Sequence, residues 1–285
     1  MRRGAKRVTR ATMVLALLLT VGGYIALRHS VPVLEPASCD AGADGAAQPV
    51  SLEVGQAGIA ATIAGVAQQR ELPAYAVTVA LATALQESKL TNLRSGDLDS
   101  VGVFQQRPSQ GWGPAGDLED PVYATGKFFA ALSRVHGYQV MPVSEAAQAV
   151  QHSADGDAYA QYSGVAGRLS AAFTGQRPHA VWCWYPGPAA RPQLAAARQA
   201  LGHAFGPLPM HTASDPGVRV TVAPGAPGAP GWAVAAWLVS HAGAYGIRDI
   251  SYGGYQWAAS HATSGWTKVV PGGANPAPAS AVVFG

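Results

Sequence analysis

The 285-residue chain is 48% hydrophobic and only 12% charged, and it carries 34 glycines and 21 prolines. So apolar a chain can bury a core, which excludes wholesale disorder, while its Gly and Pro content demands loops and linkers. Its formal charge of +3 misleads: Arg2, Arg3, Lys6, Arg7 and Arg10 crowd the first ten residues with no acidic neighbour, so the remainder is slightly acidic and lacks the basic excess that nucleic-acid binding needs.

Residues 1–10 read as a basic cytoplasmic tail. Residues 11–27 follow without a charge until Arg28. This run is slightly short for a spanning helix, which takes about 20 apolar residues. It is slightly long for the apolar part of a cleaved signal, and no small-x-small cleavage site directly follows it. An uncleaved signal anchor is the first expectation and a cleaved signal peptide the second. The chain is then either a single-pass protein of the cytoplasmic membrane, held through residues 11–27 with its C-terminal part outside, or a secreted one. A second run of this kind is missing, which excludes a multi-span transporter. Residues 28–50, rich in Pro, Ala, Gly and Asp, read as a stalk.

Two cysteines, Cys39 and Cys183, are present. Outside the cytoplasm such a pair suggests one disulfide. Lipidation of Cys39 is the competing idea, but Pro36-Ala37-Ser38-Cys39 lacks the aliphatic residue of a lipobox; two free thiols are the remaining alternative. With no CxxC pair and no HExxH, neither a metal nor another cofactor is expected.

From Val54 to Glu71 the chain is rich in Ala, Ile and Gln and predicts a helix. Pro73 suits the first turn of a second helix running to about Leu90, apolar almost all round and therefore buried. Residues 91–120 form a long shaped loop, the kind of segment that often carries function. Asp120-Pro121 opens a helix through Val135, and further helical patterns cover Ser144–His152, Asp157–Phe173 and Pro192–Phe205. No strand pattern of any length precedes residue 218. Residues 51–206 thus predict one mainly α domain. Residues 207–231, with Pro224-Gly-Ala-Pro-Gly-Ala-Pro230, read as a linker. Residues 232–285 predict a small α+β accessory module: a helix from Trp232 capped by Gly246, two short strands around Gly253-Gly254, and a third strand at Ala281-Val-Val-Phe.

Glu87 ends the buried helix, with the small residues Thr83 and Ala84 one turn back. A carboxyl against an apolar wall loses hydration, which favours its protonated form. Glycosidic cleavage needs such a general acid. The bland alternative is a glutamate at a helix end facing water. In the loop, small residues from Gly96 to Gly113 allow a backbone to approach a ligand closely. Gln105, Gln106 and Gln110 offer amides to sugar hydroxyl and N-acetyl groups, and Trp112 offers a flat face to a pyranose ring.

Glu87-Ser88, followed by Ser100-Val-Gly-Val-Phe-Gln-Gln-Arg-Pro-Ser109, resembles the catalytic pattern of the lysozyme-like superfamily, to which soluble lytic transglycosylases and goose-type lysozymes belong. Asp120-Pro-Val-Tyr-Ala124, Met141-Pro142, Ala147-Gln-Ala-Val-Gln151 and Asp157-Ala-Tyr-Ala160 are similar to an actinobacterial branch of it. The resemblance covers roughly residues 55–175. It implies a lysozyme-like fold acting on peptidoglycan glycan strands. Glu87 would protonate the oxygen between N-acetylmuramic acid and N-acetylglucosamine, then accept the proton of the muramoyl 6-hydroxyl as a 1,6-anhydro ring closes. Under hydrolysis a second carboxylate would act, and Asp97 and Asp99 are the candidates, with turn formation their alternative role. Ser88 would orient Glu87 or a sugar group, Gln105 would meet the N-acetyl region, and Ser100, Gln106 and Trp112 would line the substrate cleft. Tyr159 and Tyr162 are the candidates for a hydroxyl near Glu87, although the family's usual Tyr-Asn pair is absent. Arg107 is either a loop anchor or a contact for an anionic wall peptide.

Residues 232–285 resemble a small C-terminal domain of actinobacterial wall hydrolases. Some relatives end in a metal-binding His-rich strand, and this chain does not; His241 and His261 alone make a poor zinc site, so a metallopeptidase is the weakest of the readings. Two stronger readings stand: a peptidoglycan glycosidase, and a lysozyme-like scaffold that grips glycan without cutting it.

Overall fold

The computed structural model describes residues 20, 23, 36–42, 49–153, 156–186, 190–213, 217–222, 230–260, 265–269 and 280–285. The basic tail, nearly all of the 11–27 run and His261 lie outside the described residues. Among the described residues no helix is long and apolar enough to cross a membrane.

Two helices form the centre: α1 (Val54–Gln69) and α2 (Ala74–Ser88). Neither α1 nor the first thirteen residues of α2 carries a charge. A helix without a polar face is stable only when others surround it, and both are buried over most of their length. Around them pack α3 (Ala115–Leu118), α4 (Pro121–Leu132), α5 (Val143–Gln151), a 3-10 segment (Gly156–Tyr162), α6 (Ser163–Phe173), α7 (Leu194–Phe205) and α8 (Pro230–Tyr245). Helix α2 lies against α4, α5 and α6, while α1 lies against α4, α7 and α8. Glycines let the outer elements approach α1. A Cβ on Gly65 would sit 2.8 Å from the Phe205 ring, and one on Gly58 3.3 Å from the His241 ring.

Three short strands close one side: β1 (Ser38–Ala41), β2 (Val50–Glu53) and β3 (Val181–Trp184), antiparallel in the order β2-β1-β3. Cys39 stands directly opposite Cys183 in this register, and the two are joined by a disulfide. A second sheet holds β4 (Met210–Thr212), β5 (Val218–Thr221), β6 (Asp249–Tyr252), β7 (Tyr255–Ala258), β8 (Thr267–Lys268) and β9 (Ala281–Phe284) in the order β4-β5-β9-β6-β7-β8. The turn between β6 and β7 is Gly253-Gly254, with φ of 58° and 79°, the left-handed pair that a two-residue hairpin turn demands.

About half of the described chain is helical, so an α domain with smaller α+β parts is the observed class. Four expectations need correction. Residues 38–41 of the expected stalk are the central strand of a sheet. Strands also precede residue 218, namely β1 to β4; at three or four residues they are too short to print an alternating pattern, and pairing with distant partners makes them. Part of the expected 207–231 linker is β4 and β5, paired with the far C-terminus through β9. The segment 232–285 is not a separately packed module either. Helix α8 lies on α1, and residues 38–185 and 189–285 fall in one compact unit with a common core. Of the four tryptophans there, Trp232, Trp237 and Trp257 belong to that core and Trp266 packs partly buried against it.

Candidate active site

Glu87 sits in the last turn of α2 and is half-buried. The Tyr159 hydroxyl donates to Glu87 Oε1 at 2.7 Å, and the Tyr159 ring is fully buried. The carboxyl is therefore met from one side by a donor carried on a buried ring. Next to it Gln161 Nε2 reaches Gln86 Oε1 at 3.4 Å, so the 3-10 segment runs along the end of α2.

The loop after α2 is folded into a small ladder. Leu93 bridges to Gly102 and Val101 to Gln106, each antiparallel. Gly102 has φ of 78°, and a Cβ there would stand 2.4 Å from the Leu118 carbonyl oxygen, so only glycine fits. Ser88 ties the ladder to the helix. Its buried hydroxyl donates toward the Val103 carbonyl (2.7 Å) and that of Ala84 (3.1 Å), and accepts from Thr91 N at 3.2 Å. Gln151 Nε2, from α5, holds the Phe104 carbonyl at 2.9 Å. No local pattern marks Gln151 for this role, because the contact spans 47 residues of sequence.

Several residues expected to face the sugar have bonds or packing within the protein, and three of them, Ser88, Ser100 and Gln106, are buried in this scaffold. Ser88 makes no bond to Glu87 in the hydrogen-bond network above. Ser100 is buried and closes a turn on the Asp97 carbonyl. Gln106 is 1% exposed and donates to the Ala124 carbonyl at 3.2 Å. Gln105 is half-buried, has φ of 47°, and lies across Gly96, where a Cβ would collide with its amide oxygen at 1.7 Å. Trp112 is partly buried against the core. Tyr162 does not meet Glu87 in this network; its hydroxyl accepts a hydrogen bond from Lys89 Nζ.

The two candidate second carboxylates separate clearly. Asp99 accepts from Arg107 Nε at 2.9 Å, from Ser109 N at 2.8 Å and from the Ser109 hydroxyl at 2.9 Å. The Arg107 guanidinium, followed by the Ser109 N–H, holds the Asp99 carboxyl down at about 2. Asp99 and Arg107 are therefore loop anchors. Asp97 is exposed, and its carbonyl serves the Ser100 turn.

Elsewhere the geometry favours structure over chemistry. His241 is packed against Trp237 (rings 3.9 Å apart, stacked), and its Nδ1 meets the Trp237 carbonyl at 2.8 Å. Among the described residues no group of three metal-ligating side chains converges. A cavity of about 230 Å³ is lined by Ala64, Leu72, Ala74, Val77, Thr174 and Gln176 among others, none titratable. It opens at the far end of α2, roughly 15–20 Å from Glu87 at 1.5 Å per helical residue, and takes no part in the site. No family model matches the chain, and no curated protein is significantly similar to it.

Proposed function

We propose that the protein is a peptidoglycan glycosidase, a lytic transglycosylase that cleaves between N-acetylmuramic acid and N-acetylglucosamine with Glu87 as general acid and then general base. The observation that carries this reading is the Tyr159–Glu87 hydrogen bond, made at the end of a buried helix beside a loop rigidly tied to that same end. A catalytic acid must be held in one place, and this one is.

The chemistry needs no other carboxylate. Protonated Glu87 gives its proton to the bridging oxygen as the bond from that oxygen to the muramoyl anomeric carbon breaks. The leaving sugar departs with a free 4-hydroxyl. The muramoyl 6-hydroxyl oxygen attacks the anomeric carbon and loses its proton to the Glu87 carboxylate, which restores the acid. No water is consumed. Tyr159 keeps a donor on Oε1 throughout and offsets the charge that appears there between the two proton transfers. The anchoring of Asp99 by Arg107 and Ser109 favours this route over hydrolysis, because that carboxylate is committed to the loop.

The same reading places the folded part outside the cytoplasm, with residues 11–27 as membrane anchor or signal. The Cys39–Cys183 disulfide supports an oxidising compartment. The test is digestion of purified wall by the wild-type chain and by Glu87→Gln, with product masses measured. Anhydro ends, lighter by one water than reducing ends, are expected from the wild type and none from the variant. Reducing ends would mean hydrolysis. Equal products from both chains would remove Glu87 from the mechanism. Binding without any product would leave a glycan-gripping scaffold.

A further inference from the structure

The end of α2 presents a second polar group that this chemistry does not use. Lys89 has φ of 56° and Leu90 φ of 57°, two successive side-chain-bearing residues in the left-handed region. The turn is held by Gln56 Nε2, which donates to the Lys89 carbonyl at 2.8 Å, and by Leu90 N, which donates to the Ala84 carbonyl at 3.0 Å. Had the helix continued, residue 89 would point about 200° around the axis from residue 87. The left-handed turn instead brings both side chains to the same 3-10 segment. Tyr159 and Tyr162 stand three residues apart there, on one face of a three-residue turn. Tyr159 meets Glu87, and Tyr162 accepts from Lys89 Nζ, which also lies 4.7 Å from its ring centroid.

Lys89 is exposed, and among the described residues no carboxylate pairs with it. An ammonium has three donors, and Tyr162 takes one. The cation is thus positioned but not neutralised, two residues from the proposed acid. We infer that Lys89 and Tyr162 form a binding subsite for a carboxylate borne by the muramic acid unit of the glycan, an inference that rests on the function proposed for Glu87. That carboxylate has two sources. In a peptide-free strand it is the 3-O-lactyl group itself; in a peptide-bearing strand the lactyl group is an amide and the carboxylates lie along the stem peptide.

The experiment compares the full-length chain with Lys89→Met and Lys89→Arg on three soluble glycans: peptide-free wall oligosaccharide, the same oligosaccharide with stem peptides, and a neutral N-acetylglucosamine oligomer. Lys89→Met is expected to raise KM about fivefold on a carboxylate-bearing glycan, on the scale of one solvent-exposed ion pair. The kcat and the affinity for the neutral oligomer should stay unchanged, and Lys89→Arg should restore KM. Loss on the peptide-free strand assigns the lactyl carboxylate, and loss confined to the peptide-bearing strand assigns the stem. Equal loss on the neutral oligomer would show that Lys89 only shapes the turn and would overturn the subsite, as would no loss on any glycan. The two readings fail separately: if Glu87→Gln cleaved as well as wild type, the role of Glu87 would fall, while charge-selective binding lost in Lys89→Met would still stand.

Discussion

The hydroxyl of Ser88 is bonded to the carbonyl of Val103, which ties the helix end that carries Glu87 to the loop that follows it. Both partners are buried. Ser88→Ala would leave the Val103 carbonyl and the Thr91 N–H without this partner, at a cost of about 1–3 kcal/mol. Chemical denaturation should register that loss, and turnover of wall substrate should fall with it. An unchanged denaturation midpoint would mean that the loop is held by its other contacts alone.

Tyr159→Phe removes one hydroxyl and keeps the buried ring. The fold should survive with little change in melting temperature, because Glu87 is only half-buried and water can replace the donor. Catalysis should suffer more, with kcat falling roughly 100-fold, on the scale of a lost donor to a reacting charge. Steady-state kinetics with soluble glycan measures this; a kcat within twofold of wild type would make Tyr159 a packing residue only.

The disulfide clasps β1 against β3 across 144 residues of chain. Closing so long a loop constrains the unfolded chain, and its loss should cost about 3–5 kcal/mol. Cys39→Ala with Cys183→Ala should lower the denaturation midpoint accordingly, and reductant should do the same to wild type but nothing to the double variant. Equal sensitivity of both proteins to reductant would point to some other effect of the reagent.

His241 makes stability depend on pH. Burial against Trp237 and Gly58 holds its imidazole down at about 4, against 6.5 in an unfolded chain, and the Trp237 carbonyl opposes that shift only in part. Between those two values the unfolded state binds the proton and the folded state does not. Stability is therefore full above about pH 6.5, declines as pH falls toward 4, and loses nothing further from this group below that. The loss should reach at most about 3 kcal/mol, since the residue as a whole is only partly buried. Denaturation midpoints taken from pH 7 to pH 4 should show the decline in wild type and not in His241→Gln. Parallel curves for the two proteins would assign the acid sensitivity elsewhere.

Sequence by itself was enough for the helices and for the position of Glu87 at the end of one of them. Long runs without charge made α1, α2 and α8 buried helices wherever they were placed; Pro121 after Asp120 and glycines at 246, 253 and 254 marked their own turns, because each acts through local dihedral preference. Glu87 was legible for the same reason, as a lone acid ending an apolar helix beside a Gly- and Gln-rich loop. Only the tertiary structure decided the partners. That Cys39 meets Cys183, that Tyr159 and not Tyr162 reaches Glu87, that Asp99 belongs to Arg107, and that Ser88, Ser100 and Gln106 turn inward are all outcomes of where a loop closes. The strands β1 to β4 are not marked in the sequence because four residues cannot display a period, and their ladders join segments up to 146 residues apart. Helical pattern is written in neighbouring residues, whereas pairing between distant ones is settled by packing of the whole chain.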